Sequence, residues 1–84
     1  MFSYFFTFRS LTAAQQARNI LYTAGIGSEL LRAPKSVASQ GCGFVLLIAA
    51  QDAVPAADLL RAWRARFLRI LRVYENGQTE EAEL

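Results

Sequence analysis

The stretch "LRILRVYE", Leu68–Glu75, decides the fold. Ile70 and Leu71 continue the apolar stripe of the segment before it, and no glycine interrupts that segment, so a helix running on is one reading. The other is a strand over residues 69–75. The order of the elements upstream asks for the strand, and that order has to be established first.

"FSYFFTF", Phe2–Phe8, alternates with a period of two. Phe2, Tyr4, Phe6 and Phe8 share one face of a strand, and Ser3, Phe5 and Thr7 the other. Ser10 or Thr12 can cap the helix that follows. In "TAAQQARNILYTAG" Ala14, Ala17, Leu21 and Ala24 fall on one side with Ile20, a small-residue face suited to close packing on a sheet. Gly25 is a natural left-handed stop. "SELLRA", Ser28–Ala33, is a short strand closed by Pro34, which lacks the donor a sheet ladder needs. "FVLLIAA", Phe44–Ala50, is a continuous apolar run of strand length, expected at the centre of the sheet. Asp52 and Pro55 open a second helix whose stripe is Leu59, Leu60, Trp63 and Phe67, with Arg61 and Arg64 outside.

With a strand at 69–75 the order is strand–helix–strand–strand–helix–strand. That is the ferredoxin-like split βαβ arrangement, an α+β fold with a four-stranded antiparallel sheet and two helices on one face. The expectation is a single domain over residues 1–75, followed by a flexible acidic tail at 76–84.

The whole chain narrows the function. Its 84 residues bury only about 60% of the surface an unfolded chain exposes, while 54% of them are apolar, which suggests surplus apolar surface for a partner. There is one Cys and no His, so the chain holds no Ser-His or Cys-His dyad, no internal disulfide and no protein-only zinc set. No metal is expected. "MFSYFFTF" has no basic leader and ends at Arg9 after eight positions, too short for a span, so a cytoplasmic protein without a membrane partner is expected.

Residues 1–74 carry all nine Lys and Arg against Glu29, Asp52 and Asp58, a surplus of six, while the last ten residues hold four Glu. A basic body suits an anionic ligand or an acidic partner surface, and equally a merely solvated face. Arg61 and Arg64 are read as dressing a helix rather than binding nucleic acid, and the aromatic stripe of the first strand as core rather than a base-stacking platform.

The one chemically soft group is Cys42, in "KSVASQGCG", a loop long for so small a domain. Gly41 and Gly43 remove steric cover, permit backbone angles other residues avoid, and can turn amide N–H groups toward an anion. Arg32 and Lys35 bring positive charge if the loop folds back. With no second cysteine a dithiol cycle is closed off, which leaves a thiol that carries an adduct. The other reading is a small core residue at a strand entrance. The pattern alone leaves both open.

The segment "FTFRSLTAAQQARNILYTAGIGSELLRAPKSVASQGCGFVLLI" resembles a family of small bacterial domains described as selenium/sulfur carrier-like proteins. The matching features are an apolar strand ending in Ser (Phe6–Ser10), a helix ending in a Gly-Ile step (Gly25-Ile26), a proline with a basic neighbour, a Ser-rich loop, and Cys-Gly before an apolar strand. Pro34, Ser39, Gly41, Cys42 and Gly43 stand in those places. Lys35 replaces the family's arginine and loses its bidentate fork, and Arg18 stands where a glutamate is common. The resemblance implies Cys42 as the residue bearing sulfur or selenium, with no cofactor beyond that covalent atom. Arg32 and Lys35 would hold the thiolate, and the Ser39–Gly43 loop would donate backbone N–H groups. Partners would be sulfur- or selenium-handling proteins, and the chain would act as a carrier more than a stand-alone enzyme. The rival expectation is a non-catalytic interaction module that forms a homodimer and keeps a structural cysteine.

Overall fold

The computed structural model describes residues 2–38 and 43–84. Five strands, β1 (Phe2–Phe8), β2 (Glu29–Arg32), β3 (Phe44–Ala49), β4 (Ile70–Tyr74) and β5 (Thr79–Glu81), form one sheet in the order β2-β3-β1-β4-β5. Every neighbouring pair is antiparallel. Leu68–Glu75 thus contains a strand, β4, with Ile70 opposite Phe6 and Leu71 opposite Phe5.

Two helices of more than two turns, α1 (Leu11–Thr23) and α3 (Ala53–Ala62), lie on one face of the sheet, while the four-residue α2 (Lys35–Ala38) lies on the other. The alternation of β1 sets the division. Phe6 and Phe8 are fully buried, and with Tyr4 they join Leu46, Ile48 and Ile70 under the helices. The helices meet them through Ala14, Ala17 and Leu21 of α1 and Ala53, Ala56, Ala57 and Leu60 of α3. Small residues let both helix backbones approach the large aromatics of β1 closely, which keeps the layer dense. On the opposite face Phe5, Val45 and Leu71 pack with Ala33 and with Val37 of α2.

Both α1 and α3 end in the same bond pattern. At α1 the Ile26 N–H donates to Leu21 C=O (2.9 Å) and Gly25 N–H to Tyr22 C=O (3.0 Å), with Gly25 at φ 78°. At α3 the Ala65 N–H donates to Leu60 C=O (2.8 Å) and Arg64 N–H to Arg61 C=O (3.0 Å), with Arg64 at φ 56°. This is the left-handed helix stop that usually takes glycine, here filled by arginine.

Two expectations need correction. Trp63 is not in the apolar stripe: the helix ends at Ala62, so Trp63 caps it and stands 65% exposed. Phe67 still packs, its ring 5.2 Å from that of Phe6. The sheet has five strands rather than four, because segment 76–84, expected as a flexible acidic tail, turns back on β4. Gly77 N–H donates to Tyr74 C=O (2.9 Å) and Tyr74 N–H to Gln78 C=O (2.9 Å), with Gly77 at φ 88°. Gln78 N–H donates to the side chain of Asn76 (3.0 Å). The polar β5 is held by charge as well as by its ladder: Arg69 Nε lies 2.8 Å from Glu81, and Arg72 Nη1 2.8 Å from Glu80.

Candidate functional site

Three strand termini meet at one end of the sheet. β1 finishes at Phe8 and β2 at Arg32, and both lie in register with Phe44, where β3 begins. The ladder extends one residue further. Gly43 N–H donates to Phe8 C=O (3.1 Å), and Ala33 N–H donates to Gly43 C=O (3.1 Å). Gly43 is therefore pinned from both sides. A Cβ there would meet Arg9 C=O at 3.5 Å, an ordinary contact, and its φ lies outside the left-handed region. The freedom that glycine permits at this position is therefore not drawn on by Gly43.

The entry to the loop is anchored as well. Val37 and Ala38 N–H groups both donate to Pro34 C=O (2.9 and 2.7 Å), which winds α2. Val37 is 2% exposed and packs with Phe5, Val45 and Leu71. Ser39, Gly41 and Cys42 lie outside the described residues; what is fixed is the frame, α2 on one side and Gly43 on the other. Of the two basic residues expected beside the thiol, Arg32 is exposed with its guanidinium 5.6 Å from the centre of the Phe44 ring, and Lys35 is exposed at the start of α2.

The same end gathers charge that the linear reading missed. Arg9 follows β1 directly and is exposed. Next to it the Ser10 hydroxyl accepts from Ala13 N–H (3.1 Å) and caps α1, whose first turn holds no acidic residue. The positive end of that helix dipole thus faces the loop end without a carboxylate of its own. The α3–β4 connection arrives here too, since Leu68 N–H donates to Thr7 C=O (2.8 Å), and it brings Arg64 and Arg66. Among the described residues none of Arg9, Arg32, Lys35, Arg64 and Arg66 forms an ion pair. Glu81 is taken by Arg69, and Glu83 follows it on this side. Glu29, Asp52 and Glu75 stand at the other end of the sheet, where β2 begins and β3 and β4 finish. The signal for Arg9 was its place directly after a strand, beside the capping Ser10.

Arg61, Arg69 and Arg72 are engaged, while Arg18 is exposed on α1. Arg72 lies over the rings of Phe2 and Tyr4 (5.3 and 5.7 Å), and the hydroxyls of Tyr4 and then Tyr74 push its pKa above the ordinary arginine value. Arg61 stacks on Phe67 at 5.6 Å and donates to Leu84 C=O (2.7 Å). Among the described residues no group of His, Cys, Asp and Glu is placed to hold a metal ion, and no helix is long and apolar enough to cross a membrane.

Fold and site together define a small α+β protein with one antiparallel sheet, two helices on one face, and a basic sheet end where β1 and β2 finish and β3 begins. Residues 3–72 match the family model described as "Putative Se/S carrier protein-like". The chain belongs to that family. Comparison with curated proteins and with solved structures finds no match.

Proposed function

We propose that the protein carries sulfur, or selenium in its place, as a covalent adduct on Cys42 and passes it to a partner protein. The Cys42 thiolate would attack the outer sulfur of a donor persulfide. A new S–S bond forms, the donor's S–S bond breaks, and the donor leaves as a thiolate. An acceptor nucleophile then takes the outer atom and Cys42 leaves as the thiolate, so no external oxidant or reductant is needed. A selenium-bearing donor of the same kind follows the same course. The single observation that carries the reading, beside family membership, is the unpaired basic end around the loop, with Arg9, Arg32, Lys35 and the N-terminus of α1. Positive charge favours a thiolate over a thiol. Ser39 and Gly41 would add backbone donors; Gly43, expected to do so as well, does not, because its N–H is committed to Phe8 C=O.

The strand order β2-β3-β1-β4 with α1 and α3 on one face supports a ferredoxin-like arrangement, extended by β5 at the β4 edge. Such a scaffold would hold the loop at a sheet end, in a cytoplasmic protein that meets sulfur- or selenium-handling proteins.

The test is intact-protein mass spectrometry of wild type and Cys42→Ala after incubation with a persulfide donor. A reducible adduct of one sulfur on the wild type alone is the expected outcome. A thiol that reacts only after unfolding would defeat the carrier reading. A second reading, a homodimerising interaction module with a structural cysteine, rests on the sheet face opposite α1 and α3. There Leu31, Leu47 and Val73 remain only partly buried. Sedimentation of a Leu47→Lys variant tests it, since a dimer built on that face would dissociate.

A further inference from the structure

Beside the strand ends, on the helix side, lies a groove that thiol chemistry does not use. It is a cavity of about 360 Å³ between α1 and the α3–β4 connection, lined by Gln16 and Ile20 from one and by Trp63, Arg64 and Arg66 from the other. Three features set it apart. Trp63, the only tryptophan of the chain, is 65% exposed, whereas four of the five aromatics of β1 are buried. Arg64 holds a left-handed conformation, φ 56°, that glycine adopts freely and arginine does not, while Gly25 fills the equivalent position at the end of α1. Arg64 and Arg66 are both exposed, and among the described residues neither has a carboxylate partner.

An exposed indole flanked by two unpaired guanidinium groups is the composition that protein interfaces favour at their centres. We propose that this groove docks an acidic segment of a protein partner, with an apolar side chain against Trp63 and carboxylates on Arg64 and Arg66. A nucleic acid fits less well. Tyr4, Phe6 and Phe8 of β1 are buried under the helices, so no row of aromatics is open for base stacking. The floor of the groove is the apolar surface of Ala13, Ile20 and Ala65. As an assignment of the partner that meets the loop end, the inference rests on the carrier reading; as a binding site it is measured without the thiol.

The experiment titrates the full chain into a fluorescein-labelled ten-residue peptide of glutamates with one central leucine, followed by anisotropy and by Trp63 emission. Saturable binding that moves the emission is expected. Arg64→Gly and Trp63→Ala should each weaken it at least tenfold, read by anisotropy. Arg64→Gly relieves the backbone as it removes the charge, and a melting temperature no lower than wild type's separates its loss of binding from unfolding. Arg18→Gln, an equal charge change on α1 outside the groove, should alter binding less than twofold. Cys42→Ala should bind as wild type does while losing the sulfur adduct, which separates failure of this site from failure of the carrier chemistry. The proposal is overturned if the peptide does not bind, if Arg64→Gly binds unchanged, or if a ten-nucleotide single strand binds more tightly at the same salt.

Discussion

Thr7 is fully buried, and its hydroxyl is doubly used: it accepts from Arg69 N–H at 2.9 Å and donates to Arg69 C=O at 3.3 Å. The Thr7 backbone binds the same segment, through Arg69 C=O (2.9 Å) and Leu68 N–H (2.8 Å). One side chain therefore fixes where the chain enters β4, and through that entry the register of β4 on β1. Val would keep the shape and leave Arg69 N–H without its partner. Thr7→Val should cost about 1–2 kcal/mol, the usual penalty for stranding a partly buried donor, while Thr7→Ser keeps the bonds and loses only a methyl group. Urea unfolding of the two variants separates them; a Val variant as stable as wild type would show that the hydroxyl contributes nothing. In the sequence Thr7 is only one of the residues on the second face of the first strand, with Ser3 and Phe5. Its partner, 62 residues away, could not be read there.

At the scale of elements, the legible parts were those with a strong period. β1, α1 and β3 announce themselves through alternation, a small-residue face and an unbroken apolar run. β4 was recovered only through element order, because the signal that ends α3 is missing: Arg64 fills the place where glycine would mark the stop. Arg64→Gly should raise stability by up to about 1 kcal/mol, the cost of a left-handed conformation less the extra freedom glycine brings to the unfolded chain. A thermal melt checks this, and a fall in melting temperature would mean that the arginine side chain contributes more than its backbone costs. β5 failed to register because "TEE" has no strand character of its own. Asn76-Gly77, a hairpin signal, was the available clue. The strand exists through its ladder to β4 and the pairs Arg69–Glu81 and Arg72–Glu80. Those pairs are exposed, and each adds at most about 0.5 kcal/mol. A Glu80→Gln/Glu81→Gln chain should accordingly unfold within about 1 kcal/mol of wild type. Amide exchange in β5 should nevertheless quicken, since this edge strand has little else to hold it.

For the molecule as a whole, the feature that matters to function is the separation of charge between the two ends of the sheet. No window of the sequence displays it. Arg32 closes β2, while Arg9, Lys35, Arg64 and Arg66 come from three separate connections, and only the antiparallel topology brings them to one pole, which Glu83 shares, with Glu29, Asp52 and Glu75 at the other. The net charge of +2 conceals this dipolar arrangement. A molecule so built should meet a polyanion in one orientation, and its retention should depend on where a charge sits rather than on how many there are. Arg9→Gln and Arg18→Gln change the net charge equally. On a heparin column at pH 7, Arg9→Gln should lower the slope of log retention against log salt by about one, as expected for the loss of one contacting cation. Arg18→Gln, set away from the loop end in α1, should leave the slope nearly unchanged. Equal losses for the two variants would mean that the chain presents its charge diffusely. The basic pole would then not orient a partner over the loop, and the carrier would have to find its acceptor by other contacts.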